Sequence, residues 1–186
     1  GSPGWDEVLV SAGGGAVGYD LLRAAIAAKT NSALADKTWR VLVGVKVARD
    51  EFLALEALAR SVGGIKVERA RGDFSTLLMN CALSISQGGY NTLMEGMHAG
   101  CRAVIVPYAG GLETEQTLRA ELLAERGLIT VLPEGSLTPE SLIAAMDQAL
   151  AKEPGVGVGV GADAFRTDGA EDGARRIAAW ARALDW

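Results

Sequence analysis

Short, β-branched apolar runs that break at a turn and lead into a helical stretch recur along this chain, and this alternation constrains its fold more than any other feature. Val8-Leu9-Val10 ends in Ser11-Ala-Gly-Gly-Gly15, and residues 21–28 then carry apolar side chains all round, as a well-buried helix does. Residues 39–45 read as a second strand. An amphipathic helix follows over about 50–61, with Asp50 as its N-cap and Gly63-Gly64 as its stop. Ile65-Lys66-Val67 is a third, shorter strand, and 73–80 a short helix capped by Asp73. Strands four and five fall at 83–86 and 103–106, the latter ending at Pro107. A helix over 115–126, stopped by Gly127, leads to a sixth strand at 128–132. Thr138 at N-cap and Pro139 at N1 open a helix that runs to about Lys152. Six strands alternating with helices predict an α/β fold, a parallel doubly wound sheet with helices on both faces. Ligands of such sheets sit at the carboxyl ends of the strands, where the glycine turns fall.

The 186 residues suffice for one such domain with a real core. Net charge is −5, and Lys and Arg are scattered singly or paired at Arg175-Arg176, so nothing supplies a nucleic-acid face. Cys81 and Cys101 lie on apolar stretches without metal-ligand spacing and read as free thiols of a reducing cytosol. Neither a signal-peptide pattern nor an apolar run long enough to span a bilayer is present, which sets the expectation of a cytoplasmic protein. Residues 1–4, beginning Gly1-Ser2-Pro3, read as a cloning remnant, and the first strand follows at once, as in a domain cut from a longer protein. The domain itself is expected over 5–152. A Gly-Val alternation within 153–170 reads as a flexible connection, and 171–186 as a last helix with Ile177, Trp180 and Leu184 on one face.

Chemistry concentrates in Ser86-Gln-Gly-Gly-Tyr-Asn-Thr-Leu-Met-Glu95, which follows strand four and opens a helical stretch. A strand feeding a glycine turn and a helix presents backbone N–H groups and a positive dipole end to an anion. Glu95 lies about one turn inside that helix, where a carboxylate accepts hydrogen bonds from a diol. Phosphate on the turn and a diol on the acid describe a nucleotide-sugar site. Asn91 or Thr92 also suits the helix cap, a role that competes with phosphate binding for the same N-terminus. The first turn contains Gly13-x-Gly15-x-x-Gly18, a formal match to the dinucleotide fingerprint. The acid that fingerprint needs is missing, because strand two ends Leu42-Val-Gly-Val-Lys46. Three readings stay open for this turn: an NADP site with Lys46 on the 2′-phosphate, a tight turn with no ligand, and a loop approaching a diphosphate by its backbone.

Ser86-x-Gly-Gly-Tyr-Asn-Thr-x-x-Glu95, then Gly100, Ala103-Val-Ile-Val-Pro107 and Glu115-Gln116-x-x-Arg119-Ala-Glu121 through Gly127, resemble the C-terminal domain of GT-B glycosyltransferases. The likeness is to the family that includes the peptidoglycan N-acetylglucosaminyltransferase MurG and to a related set of bacterial glycosyltransferases, and it covers roughly residues 7–150. It implies a Rossmann-like domain, half of a GT-B fold, that binds a nucleotide sugar. By this resemblance Glu95 holds the ribose hydroxyls of UDP, and Ser86, Gly88, Gly89, Asn91 and Thr92 surround the diphosphate. Gly13, Gly14 and Gly15 face the diphosphate from the first strand. Glu115 and Gln116 contact the donor sugar, and the segment bearing Arg71 and Phe74 positions the base, largely through backbone groups. No cofactor and no metal are implied, and no Asp-x-Asp cluster is present. The catalytic groups and the acceptor site belong to an N-terminal domain, a partner that this chain lacks. Peripheral membrane association of the full-length enzyme is also implied. His98 and Arg175-Arg176 read as packed or solvated helix residues. The chain departs from MurG-like members at Gln87, where they carry a charged or bulky residue, and in 108–114, which lacks basic character. A nucleotide-sugar hydrolase or epimerase on the same fold, and an NADP-dependent oxidoreductase, are the rival readings.

Overall fold

The computed structural model describes residues 2–12, 18–87, 99–108 and 129–152. Strands β1 (Val8–Ser11), β2 (Trp39–Val43), β3 (Ile65–Arg69), β4 (Leu83–Gln87), β5 (Ala103–Val106) and β6 (Thr130–Val131) form one sheet in the order β3-β2-β1-β4-β5-β6. Every neighbouring pair is parallel. The described helices are α1 (Tyr19–Ala28), α2 (Arg49–Val62), α3 (Phe74–Asn80) and α4 (Pro139–Leu150). This is the doubly wound, Rossmann-like α/β architecture that the alternation predicts. The sheet grows one way through β2 and β3, then α3 returns the chain past β1 so that β4 pairs on its other side.

The registers sort the strand residues into two unlike faces. Val8 sits beside Trp39 and Leu83, so the faces alternate in step across the sheet. Val8, Val10, Trp39, Val41, Ile85 and Val104 share one dry core with Leu21, Leu22 and Ile26 of α1, Leu55 of α2 and Leu142 and Met146 of α4. Helix α1 lies between α2 and α4. Trp39 is fully buried and its indole N–H donates to the Leu34 carbonyl at 3.0 Å, so this bulky core residue leaves no polar atom unpaired. The opposite face is smaller and mixed: Leu9 and Leu42 pack on Leu77 and Leu78 of α3, with Phe74, Cys81 and Cys101 at the margin.

The same α3-facing side carries a chain of charges that the period-2 pattern of β2 and β3 places there. The Arg40 guanidinium forks onto Glu7, Nε to Oε2 at 2.6 Å and Nη2 to Oε1 at 3.0 Å, while Nη1 donates to Glu68 at 2.5 Å. Lys66 reaches Glu7 at 3.1 Å, and Arg71 joins Glu68 at 3.0 Å to Asp73 at 2.7 Å. Arg40 is only 7% exposed, yet no charge in it stands unpaired. Burial alone raises the Glu7 and Glu68 carboxyls, but the guanidinium and ammonium donors outweigh it and hold both below their ordinary value.

Two helix starts differ from the expected ones. Asp50 does not cap α2: the helix begins one residue earlier, after Ala48, and the Glu51 carboxylate accepts from the Ala48 N–H at 3.3 Å. Asp73 occupies the cap position of α3 but its side chain makes no cap bond, because it is held by Arg71. Thr138 does cap α4, accepting from the Ser141 N–H at 3.1 Å, with Pro139 at N1. Strand β6 is shorter than expected, at Thr130–Val131. The helices expected over 92–99, 115–126 and 171–184 and the connection at 153–170 lie outside the described residues, apart from Ala99.

A carboxyl whose folded pKa is depressed stabilises the fold above its unfolded value and loses that contribution as pH falls through the folded one. Stability should therefore be flat above pH about 5 and fall steeply below about 4.5, as Glu7 and Glu68 are protonated. Glu7→Gln should cost about 2 kcal/mol at neutral pH and flatten the acid limb, as read by denaturant unfolding across the pH range.

Candidate nucleotide-sugar site

The reversal of strand order opens a crevice between the carboxyl ends of β1 and β4, the position where open parallel sheets bind ligands. Ser11 of β1 lies in register with Ser86 of β4, and Ser86 in turn with Ile105 of β5. Ser86 is 1% exposed and its Oγ stands 3.2 Å from that of Ser84, two residues down the same face. Its hydroxyl therefore already has a partner within the protein. The chain leaves the sheet at Ala12 and is back in contact with it at Gly18, the N-cap of α1, which lies against Ala12. Gly18 has φ +91, and a Cβ there would fall 2.4 Å from the Ala12 Cβ and 2.9 Å from Gln87 Oε1. Only glycine fits both that backbone conformation and that gap. The third glycine of Gly13-x-Gly15-x-x-Gly18 is thus a packing residue that brings the amino end of α1 against the ends of β1 and β4.

Gln87 is the residue of this crevice that sequence reasoning undervalued. It is 2% exposed, and its Nε2 donates to Glu134 Oε1 at 2.7 Å. Glu134 opens the single 3₁₀ turn after β6, Glu134–Ser136. The bond thus ties the end of β4 to the connection leading into α4, across 47 residues of sequence. No local signal marks it, since glutamine at a strand end has no characteristic spacing.

Arg71 and Phe74, proposed to lie by the base, sit at the entrance of α3. Arg71 is already engaged: it forks onto Asp73 at 2.8 and 2.7 Å and reaches Glu68 at 3.0 Å, and these bonds raise its pKa above the ordinary value. Phe74 is half-buried against the Leu9–Leu77 cluster. Both side chains are used by the fold. Lys46 is exposed in the turn after β2. Gly13, Gly14, Gly15, Gly88, Gly89, Asn91, Thr92, Glu95, Glu115 and Gln116 lie outside the described residues. Among the described residues no group of three His, Cys, Asp or Glu side chains is arranged to hold a metal, and no helix is long and apolar enough to cross a membrane.

An all-parallel, doubly wound sheet with a glycine packed at its switch point defines the Rossmann-like class of α/β domain. Residues 13–155 match the model of the glycosyltransferase family 28 C-terminal domain, and the chain belongs to that family. It is 30% identical over 182 residues to the UDP-N-acetylglucosamine–N-acetylmuramyl-(pentapeptide) pyrophosphoryl-undecaprenol N-acetylglucosamine transferase of Nitrobacter hamburgensis, covering 96% of this chain and 47% of that protein. The corresponding transferase of Methylorubrum extorquens strain PA1 is 30% identical over 105 residues, 55% of this chain and 28% of the relative. The chain thus spans half or less of the length of these relatives. Among solved structures, Acinetobacter baumannii MurG matches with a TM-score of 0.66 at 23% identity, over 82% of this chain and 44% of that one. The calicheamicin glycosyltransferase CalG4 matches at 0.62 and 21%, over 82% and 36%. The fold is that of the GT-B glycosyltransferases.

Gly18→Ala tests the packing at the switch point. The overlap with Ala12 and Gln87, added to the positive φ, should destabilise the chain by about 2–3 kcal/mol, measured as a lower denaturant midpoint with an unchanged slope.

Proposed function

We propose that this chain is the donor-binding half of a glycosyltransferase that transfers a hexosyl group from a UDP-sugar to an acceptor hydroxyl. The observation that carries the reading is the packing of Gly18 against Ala12 and Gln87 at the β1/β4 switch point in a chain of this family. In this reading Glu95 takes the ribose diol, the N-terminus of the helix after Gly89 takes the diphosphate, and Glu115 and Gln116 take the sugar. Positive dipole and N–H groups at that terminus stabilise the charge that develops on the departing UDP, the electrostatic contribution that is usually largest. Arg71, held by Asp73 and Glu68, fixes the loop whose backbone meets the base. The catalytic base and the acceptor site are assigned to an N-terminal domain, so the isolated chain binds donor and turns over little. The N. hamburgensis relative is named for a lipid-linked acceptor, pyrophosphoryl-undecaprenol, and we extend to the full-length enzyme a place at the cytoplasmic membrane surface. A solved relative, VinC, was determined with dTDP, which supports a nucleoside diphosphate as the ligand class.

Calorimetric titration with UDP, UDP-sugars and NADP separates this reading from its rivals. UDP should bind, and Glu95→Ala should weaken it about tenfold or more, the loss of roughly one charge-assisted hydrogen bond. Binding of NADP that ignores the Glu95 change, with no UDP binding, would overturn the donor-site reading. A UDP-sugar that the full-length protein cleaves without any acceptor would instead favour a hydrolase.

A further inference from the structure

We infer that Cys81 and Cys101 form a dithiol site, oxidised to an intramolecular disulfide by a small-molecule disulfide and restored by a thiol. The inference is independent of the donor-site reading. Cys81 follows the last residue of α3 and precedes β4, while Cys101 precedes β5. These strands are parallel neighbours with Ser84 beside Ala103, and the Ser84 N–H donates to the Arg102 carbonyl at 2.9 Å. Cys81 and Cys101 each stand two residues before these neighbouring strands, and their side chains meet on the α3-facing side of the sheet. Both side chains border the same Leu9–Leu77 cluster, neither is in a disulfide, and both residues are only partly buried. The Cys81 thiol has two acceptors in reach, the Leu78 carbonyl at 3.3 Å and the sulfur of Cys101.

The hydrogen bond from Cys81 holds the Cys101 thiol below its ordinary pKa, and the same contact pushes Cys81 up. Cys101 is therefore the attacking thiolate. Its sulfur displaces one thiolate from the small disulfide, forming a mixed disulfide. Cys81 then gives up its proton and attacks the Cys101 sulfur, expelling the second thiolate. Two protein thiols are oxidised, one small disulfide is reduced to two thiols, and the protons released by Cys101 and then Cys81 pass to the two departing thiolates. The site lies at the amino edge of the sheet, about 16 Å along the chain from Ser86. Its disulfide would join the two ends of the segment that contains β4 and the 86–95 sequence.

Peptide mass analysis of the folded chain under non-reducing conditions, after treatment with oxidised glutathione, tests this. The expected product is one cross-linked peptide pair carrying residues 81 and 101, lighter by two hydrogens and reopened by dithiothreitol. Cys81→Ser should instead stop at a single glutathione adduct on Cys101. Two separate glutathione adducts on the wild-type chain, unreacted thiols, or cross-links only between chains would each overturn the inference. The wild-type arm decides the matter even if the serine variant does not fold.

Discussion

The pairing of β4 with β1 is the contact on which the rest of the molecule depends. Until β3 the chain grows the sheet in one direction, and a seven-residue helix must then carry it back past its own first strand. A helix of that length does not hold itself in water. Helix α3 is held instead by Leu77 and Leu78 against Leu9 and Leu42, and by Gly4 packed on Leu77. Without that return there is no change of strand order, and without the change of order no crevice.

The two faces of the sheet solve different problems. One is covered by α1, α2 and α4 and is mostly apolar, so its stability is largely that of ordinary area burial. On the other, toward the β3 edge, the described cover is the short α3, and the buried Arg40 with its carboxylates fills the space that a longer helix would occupy with leucines. Ion pairs of this kind contribute little net stability in comparison with apolar packing, but each member is costly to remove alone. They also fix register, because a slip of one residue in β3 would turn both Lys66 and Glu68 away from Arg40.

Much of the fold could be read from the residues alone, for a physical reason: strands buried on both faces are continuous apolar runs, and glycine marks where they end. The six strands and the cap of α4 lie in local patterns of this kind. What escaped were interactions decided by distant partners. Asp50 and Asp73 are good caps locally, yet α2 starts before Asp50 with Glu51 on the Ala48 N–H, and Arg71 takes the Asp73 carboxylate away from the N–H groups of α3. Arg40 in the middle of Trp39–Val43 gave no sign of its partners, 33 residues upstream and 28 downstream. At the crevice the glycine spacing was legible, whereas the Gln87–Glu134 bond was not, because neither residue type nor spacing signals a contact between β4 and the turn after β6.

The closure of the first turn has a consequence for how such a chain can change. Ala12, Gly18 and Gln87 occupy one shared volume, with less than the width of a methyl group between them at position 18. A side chain at 18 meets both neighbours, so it has no place unless Ala12 and Gln87 give way. Descent with modification at position 18 is therefore tied to what stands at 12 and 87.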